Sequence, residues 1–288
     1  MKMEEMSKFN NEKMTETLEQ RVEILPFTET EILTEDLICF QTENGILFYY
    51  DGCKPRKLFS NINENKIYAD LSLLDGVFDC SFKGIIGNFA FFSSVRGKNI
   101  EFFIASLVND QIIFEKINEE KTSNISLLPN QPFCWVELSK AWSIYRFEEK
   151  LSENGGEMFD ISEVNHLRKF DCIIHRGILY LFRENDSAVV EKVNEKVIRV
   201  ESPLIDSASF FIPQNSYFIY ILNSTTNLLL ILNTSNLTFS KFLYESPRDC
   251  DAHSIVGVYN GILTMRFQPL SPSRPLLMTT QLPDNCWN

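Results

Sequence analysis

The sequence predicts an all-β chain folded as a ring of six four-stranded antiparallel sheets, a six-bladed β-propeller, on three observations. Apolar runs of four to eight residues, rich in aromatic and β-branched side chains, recur along the chain with turn residues between them. The same hairpin returns six times, its turn anchored at Gly45, Asn88, Lys140, Gly177, Ser216 and Gly261, at intervals of about 37 to 52 residues, the period of propeller blades. Two weaker strands come after most hairpins, which brings each unit to four strands.

Residues 1–24 differ in composition from the rest of the chain. MKMEEMSKFNNEKMTETLEQ is polar and mixed in charge, with Ser7 placed to cap a helix and Met14, Leu18 and Val22 spaced along one helical face. A short helix or a disordered tail is expected there, with a propeller domain over 25–288. The segment lacks the basic start, apolar run and small-residue cleavage site of a secretory leader. Residues 22–27 (VEILPF) read as a strand that would join the last sheet and latch the two ends of the ring.

The hairpins then come in order. They read DLICFQTENGILFYYDG from Asp36, FDCSFKGIIGNFAFFSS from Phe78, FCWVELSKAWSIYRF from Phe133, FDCIIHRGILYLF from Phe170, SASFFIPQNSYFIYIL from Ser207 and HSIVGVYNGILTMRF from His253. Weaker strands are expected over 101–107 and 111–116, and again over 187–193 and 196–200. One sheet with apolar side chains on both faces cannot bury them alone, whereas radial stacking buries each face against a neighbour and leaves only short edges.

The segments NGILFYYDG, RGILYLF and NGILTMRF resemble the hairpin that opens a blade of the kelch family, an apolar strand running through a turn into an aromatic strand. The resemblance spans about residues 36–282 and implies propeller architecture. Where that family closes its second strand with Gly-Gly, this chain reads Asp51-Gly52, Ser93-Ser94, Glu148-Glu149, Arg183-Glu184, Asn223-Ser224 and Gln268-Pro269.

Charge narrows the function. With 27 Lys and Arg against 39 Asp and Glu, the net charge of −12 opposes a broad grip on nucleic acid or anionic lipid. No run approaches the roughly 18 apolar residues of a membrane span. Seven cysteines without CxxC spacing read as buried free thiols, which places the chain in the cytoplasm or nucleus. The nucleotide-binding and hydrolase motifs GxGxxG, GxSxG and HExxH are all missing, and no cofactor is expected.

Two C-x2-H patterns, Cys172 with His175 and Cys250 with His253, have ligand types suited to zinc. Strand alternation sends Cys172 and His175 to opposite faces of one strand, and no metal site is expected. Asp36, Asp79, Asp171, Asp206 and Asp251 fall near the starts of first strands, where a propeller lines its channel. Convergence of at least three would support the alternative function, a hydrolase or lactonase with a carboxylate-bound metal on the axis.

The favoured function is a non-catalytic protein-interaction scaffold or adaptor. Its expected surface is the set of loops joining second to third strands, and the expected protein-binding residues are Lys54, Arg56, Arg96, Lys98, Arg183 and Arg274. These basic groups stand out in an acidic chain and suit a protein partner with an acidic surface. The last of these loops, 268–274, is stiffened by Pro269 and Pro272.

Overall fold

In a computed structural model of the chain, the residues described are 22–33, 37–62, 65–77, 79–96, 99–121, 208–213, 216–223, 226–247, 249–270 and 274–287, together with isolated strands between 125 and 199. The helix or tail expected at the N-terminus falls almost wholly outside them.

The run 22–27 does not form one strand. Pro26 has no N–H to give a ladder, and the chain divides around it into β1 (Glu23–Leu25) and β2 (Thr28–Ile32). The first sheet is a meander of β3 (Leu37–Gln41), β4 (Leu47–Asp51), β5 (Lys57–Ile62) and β6 (Asn65–Tyr68). The second has the same form in β7 (Cys80–Ile86), β8 (Phe89–Arg96), β9 (Asn99–Val108) and β10 (Gln111–Lys121). The third contains β11 (Ile125–Leu127), β12 (Phe133–Leu138), β13 (Ala141–Arg146) and β14 (Phe159–Asp160).

The fourth hairpin, β15 (Phe170–His175) with β16 (Ile178–Arg183), stands as a two-stranded ladder, as does β17 (Val189–Val190) with β18 (Ile198–Arg199). The fifth sheet joins β19 (Ala208–Phe211), β20 (Phe218–Asn223), β21 (Leu228–Asn233) and β22 (Thr238–Tyr244), with β1 added in parallel along β22. The sixth consists of β23 (Cys250–Tyr259), β24 (Ile262–Pro269) and β25 (Leu276–Gln281), completed antiparallel by β2 from the other end of the chain.

All six expected hairpins are thus antiparallel strand pairs. Six four-stranded antiparallel sheets are not present among the described residues; four sheets have that form. One of the others gains the parallel strand β1. In the other, β17 and β18 are only two residues long and pair with each other. The third hairpin is also displaced within its sheet: the long interval before it supplies β11, which makes the hairpin the middle pair rather than the first. The latch is real, but Thr28–Ile32 makes it and residues 23–25 brace the neighbouring sheet.

Sheet faces pack in pairs to make the propeller. Phe40, Phe48 and Tyr50 of the first sheet share a core with Phe92, Phe103 and Phe114 of the second. Tyr220, Leu229 and Ile231 of the fifth share one with Leu263, Met265 and Phe267 of the sixth. Val256 and Leu277 of the sixth then meet Leu37, Cys39, Tyr49 and Phe59 of the first, which joins the two ends of the chain. Phe27 is a wedge between the fifth and sixth sheets, edge-on to Tyr244 at 6.2 Å and to Phe267 at 5.6 Å between ring centres.

Buried tyrosines tie one unit to the next through their hydroxyls. Tyr50 donates to the Cys80 carbonyl at 2.7 Å and Tyr220 to the Cys286 carbonyl at 2.9 Å. Burial raises both phenols above the ordinary tyrosine range and keeps them as donors. Burial likewise pushes the Cys39 thiol up to about 12 and Cys80 to about 11, so both behave as apolar side chains.

Candidate functional site

An up-and-down meander sends its connections alternately to two ends of the strands. The turns from second to third strands share one end with the links from a fourth strand to the next sheet. Hairpin turns between first and second strands lie at the other. The first of these ends is called the loop face here, the second the hairpin face.

On the loop face, between the fifth and sixth sheets, Asn227, Asp251, Ala252, His253, Gln268, Pro269 and Leu270 line an open cleft of about 640 Å³. Its walls result from local irregularities. The register of β23 against β24 slips between Ala252 and Ser254, a bulge that redirects His253. Asn227 and Asp249 hold left-handed backbone, with φ of 52° and 60°, a conformation these residue types tolerate. The Leu270 N–H donates to the Asp249 carbonyl at 2.7 Å and fixes the lip, where Leu270 is 71% exposed. Arg266 donates through Nη2 to Gln268 Oε1 at 3.2 Å, holding that amide in place.

The cleft therefore offers two amides, one carboxylate and one imidazole beside an apolar lip. His253 has solvent along the cleft, yet loss of water around its ring lowers its pKa from the ordinary 6.5, and the Arg266 guanidinium lowers it further. A neutral ring can donate from one nitrogen and accept at the other. Because the folded pKa lies below the unfolded one, the stabilisation is complete above about 6.5 and is lost as pH falls through the folded pKa. An NMR titration of His253 is expected to give a midpoint below 6.5, and Arg266→Gln is expected to raise it. A midpoint at or above 6.5 would contradict this environment.

Of the six residues chosen from sequence, five lie at second-to-third connections and Lys98 is outside the described residues. Lys54 and Arg56 occupy the turn between β4 and β5, and Lys54 is exposed. Arg56 spends its Nη1 on the Val77 carbonyl at 3.1 Å, which fastens the link into the second sheet. Arg96, at the end of β8, pairs through Nε with Glu101 Oε2 at 3.2 Å. Arg183 ends β16, and Arg274 is exposed ahead of β25.

Second-to-third loops, the ones singled out from sequence, do not make this end of the strands alone. Links between sheets bring Asp70, Asp75, Asp79, Glu245 and Asp249 to it as well. The loop face is consequently mixed in charge.

Of the five candidate channel carboxylates, Asp36 and Asp206 fall outside the described residues, as does the Asp171 side chain; Asp79 and Asp251 are exposed. Among the described residues no group of three or more His, Cys, Asp or Glu is arranged to hold a metal. Cys250 is buried in the core while His253 faces the cleft, so this C-x2-H pair diverges. His175 is fully buried, with Nε2 3.1 Å from the Pro213 carbonyl, a contact between the fourth hairpin and the fifth sheet. Gln268 falls within the loop 268–274 singled out from sequence, whereas Asn227 was missed because its left-handed turn leaves only ordinary turn composition.

No protein-family model matches the chain, and no curated protein matches it in sequence. Solved structures are similar in backbone course. A PQQ-bound aldose sugar dehydrogenase from Streptomyces coelicolor is 7% identical with a TM-score of 0.47, over 88% of this chain and 97% of its own. YCF48 bound to D1 peptide is 9% identical with a TM-score of 0.45, over 91% and 98%. Sqt1 from Saccharomyces cerevisiae is 11% identical with a TM-score of 0.37, over 85% and 73%.

Proposed function

We propose that the chain is a non-catalytic protein-interaction scaffold of the cytoplasm or nucleus, a degenerate kelch-like β-propeller that holds its partner on the loop face. The observation that carries this reading is the cleft between the fifth and sixth sheets, where amide, imidazole and carboxylate groups stand beside an exposed leucine on rigid strands. Such a site combines an apolar anchor with orienting polar groups, as interaction sites do. Free, mostly buried cysteines support a reducing compartment, and among the described residues no helix is long and apolar enough to cross a membrane.

In this reading Lys54, Arg56, Arg96, Lys98, Arg183 and Arg274 form a rim that meets acidic groups on the partner. Arg56, Arg96 and Lys54 have partners within the fold, so a test must spare them. Affinity purification with quantitative mass spectrometry would compare the intact protein with Leu270→Asp and with Arg274→Glu. One protein is expected in stoichiometric yield with the parent and at least about tenfold less with each variant, since a lost central contact is worth more than about 1.4 kcal/mol. Unchanged recovery with both variants, each folded by circular dichroism, would overturn the reading.

A further inference from the structure

The hairpin face carries a second surface, independent of the cleft. There the turns of the sixth, first and second sheets are joined tip to tip. The Tyr259 ring covers Gly45 so closely that a Cβ at that position would fall 2.6 Å from it. The Glu43 N–H donates to the Gly87 carbonyl at 3.0 Å, and the Asn44 N–H donates to Asn88 Oδ1 at 3.2 Å. Gly45 and Gly261 hold φ of +86° and +77°, conformations that fix the turns and favour glycine.

Along this joined edge large apolar side chains face solvent. Tyr259 is 39% exposed, its register partner Ile262 44%, and Phe89 42%. The turns of this sector carry Glu43, Asp110 and Asp284 and, among the described residues, no Lys or Arg.

We propose that this rim docks an extended segment of a partner protein in which Lys or Arg alternates with apolar residues. Rigid, exposed aromatic groups gain by being covered, since no folding entropy remains to be lost in the frame beneath them. The acidic turns and the π-faces of Tyr259 and Phe89 both attract cations. Phosphates of a nucleic acid or an anionic bilayer would meet like charge instead. Because the rim and the cleft lie at opposite ends of the strands, one molecule can hold two partners at once.

The probe is a set of fluorescent decapeptides in which Lys alternates with Leu or Phe, beside a twin set with Glu in place of Lys. Binding to the full chain is read by fluorescence polarisation. The Lys set is expected to bind at least about tenfold more tightly than the Glu set, and the combined variant Phe89→Ser, Tyr259→Ser, Ile262→Ser, which leaves net charge unchanged, to lose at least about tenfold. Leu270→Asp in the cleft should leave peptide binding intact, which separates failure here from failure of the loop-face reading.

Equal binding by parent and variant would reduce the effect to attraction by the −12 net charge and overturn the proposal. So would equal binding of both peptide sets, no binding at all, or, in the absence of peptide, tighter binding of the protein to a labelled single-stranded oligonucleotide or to phosphatidylserine vesicles than to the Lys peptides. Should Tyr259→Ser unfold the chain through its contact with Gly45, Phe89→Ser with Ile262→Ser decides the matter.

Discussion

A chain beginning at Leu33 is expected to lose its cooperatively folded state, whereas one beginning at Val22 keeps it. The deletion removes the strand that completes the sixth sheet and bares the edge of β25 along the register from Thr28↔Thr279 to Ile32↔Leu276. It also removes buried Leu25 from the core between the fifth and sixth sheets and the Phe27 wedge beside it. Glu31, which accepts the Tyr49 hydroxyl of the first sheet, and Thr30, which donates to the Leu277 carbonyl at 3.0 Å, go with them. Losing a buried leucine or phenylalanine side chain costs about 2–5 kcal/mol, against a total stability of about 5–15 kcal/mol.

Thermal unfolding monitored by far-UV circular dichroism is therefore expected to show no transition, or one lowered by at least about 10 °C. Phe27→Ala in the full chain gives the graded version, a fall of several degrees. Equal midpoints for the chains beginning at Leu33 and at Val22 would show that β2 does not close the ring.

What was legible in the sequence was what depends on short-range pattern. The short apolar runs in LICFQ and LFYYD, with Asn-Gly in the turn between them, marked the first hairpin, and the same reasoning recovered the other five. Strand partners beyond the hairpin depend on distant residues. Nothing in TETEI, a polar run with one isoleucine, marks it as the fourth strand of a sheet whose other members begin at residue 250. Pro26 alone signalled the division into β1 and β2, and its meaning emerged only with both partners in view. The weaker strands expected over 187–193 and 196–200 are present only as the two-residue pair Val189–Val190 and Ile198–Arg199, so their positions were legible and their lengths were not.

The candidate site illustrates the same division. Charge at the second-to-third loops was visible in sequence, but which charges remained for a partner was not. Val77 lies 21 residues from Arg56 and takes its guanidinium, an arrangement set by how the first sheet hands the chain to the second. His253 stood out only within a ligand-like spacing; the bulge after Ala252 gives it a place in the cleft instead.

Arg96→Glu is expected to destabilise the fold by about 3 kcal/mol, because Arg96 neutralises a carboxylate inside the second sheet. The Glu101 side chain is 4% exposed, with Arg96 Nε at 3.2 Å and Lys116 Nζ at 2.8 Å, both cations reaching it from the solvent side. A carboxylate so placed loses most of its hydration, and the two cations offset that loss. Reversal at position 96 leaves Lys116 to balance two acids, so the expected fall in thermal midpoint is about 6–12 °C. Adding Glu101→Gln should recover a large part of it, a non-additivity that a double-mutant cycle measures directly. A fully additive cycle, or a midpoint unchanged by Arg96→Glu, would show Arg96 to be free for a partner, and only then would charge reversal at this position test binding rather than folding.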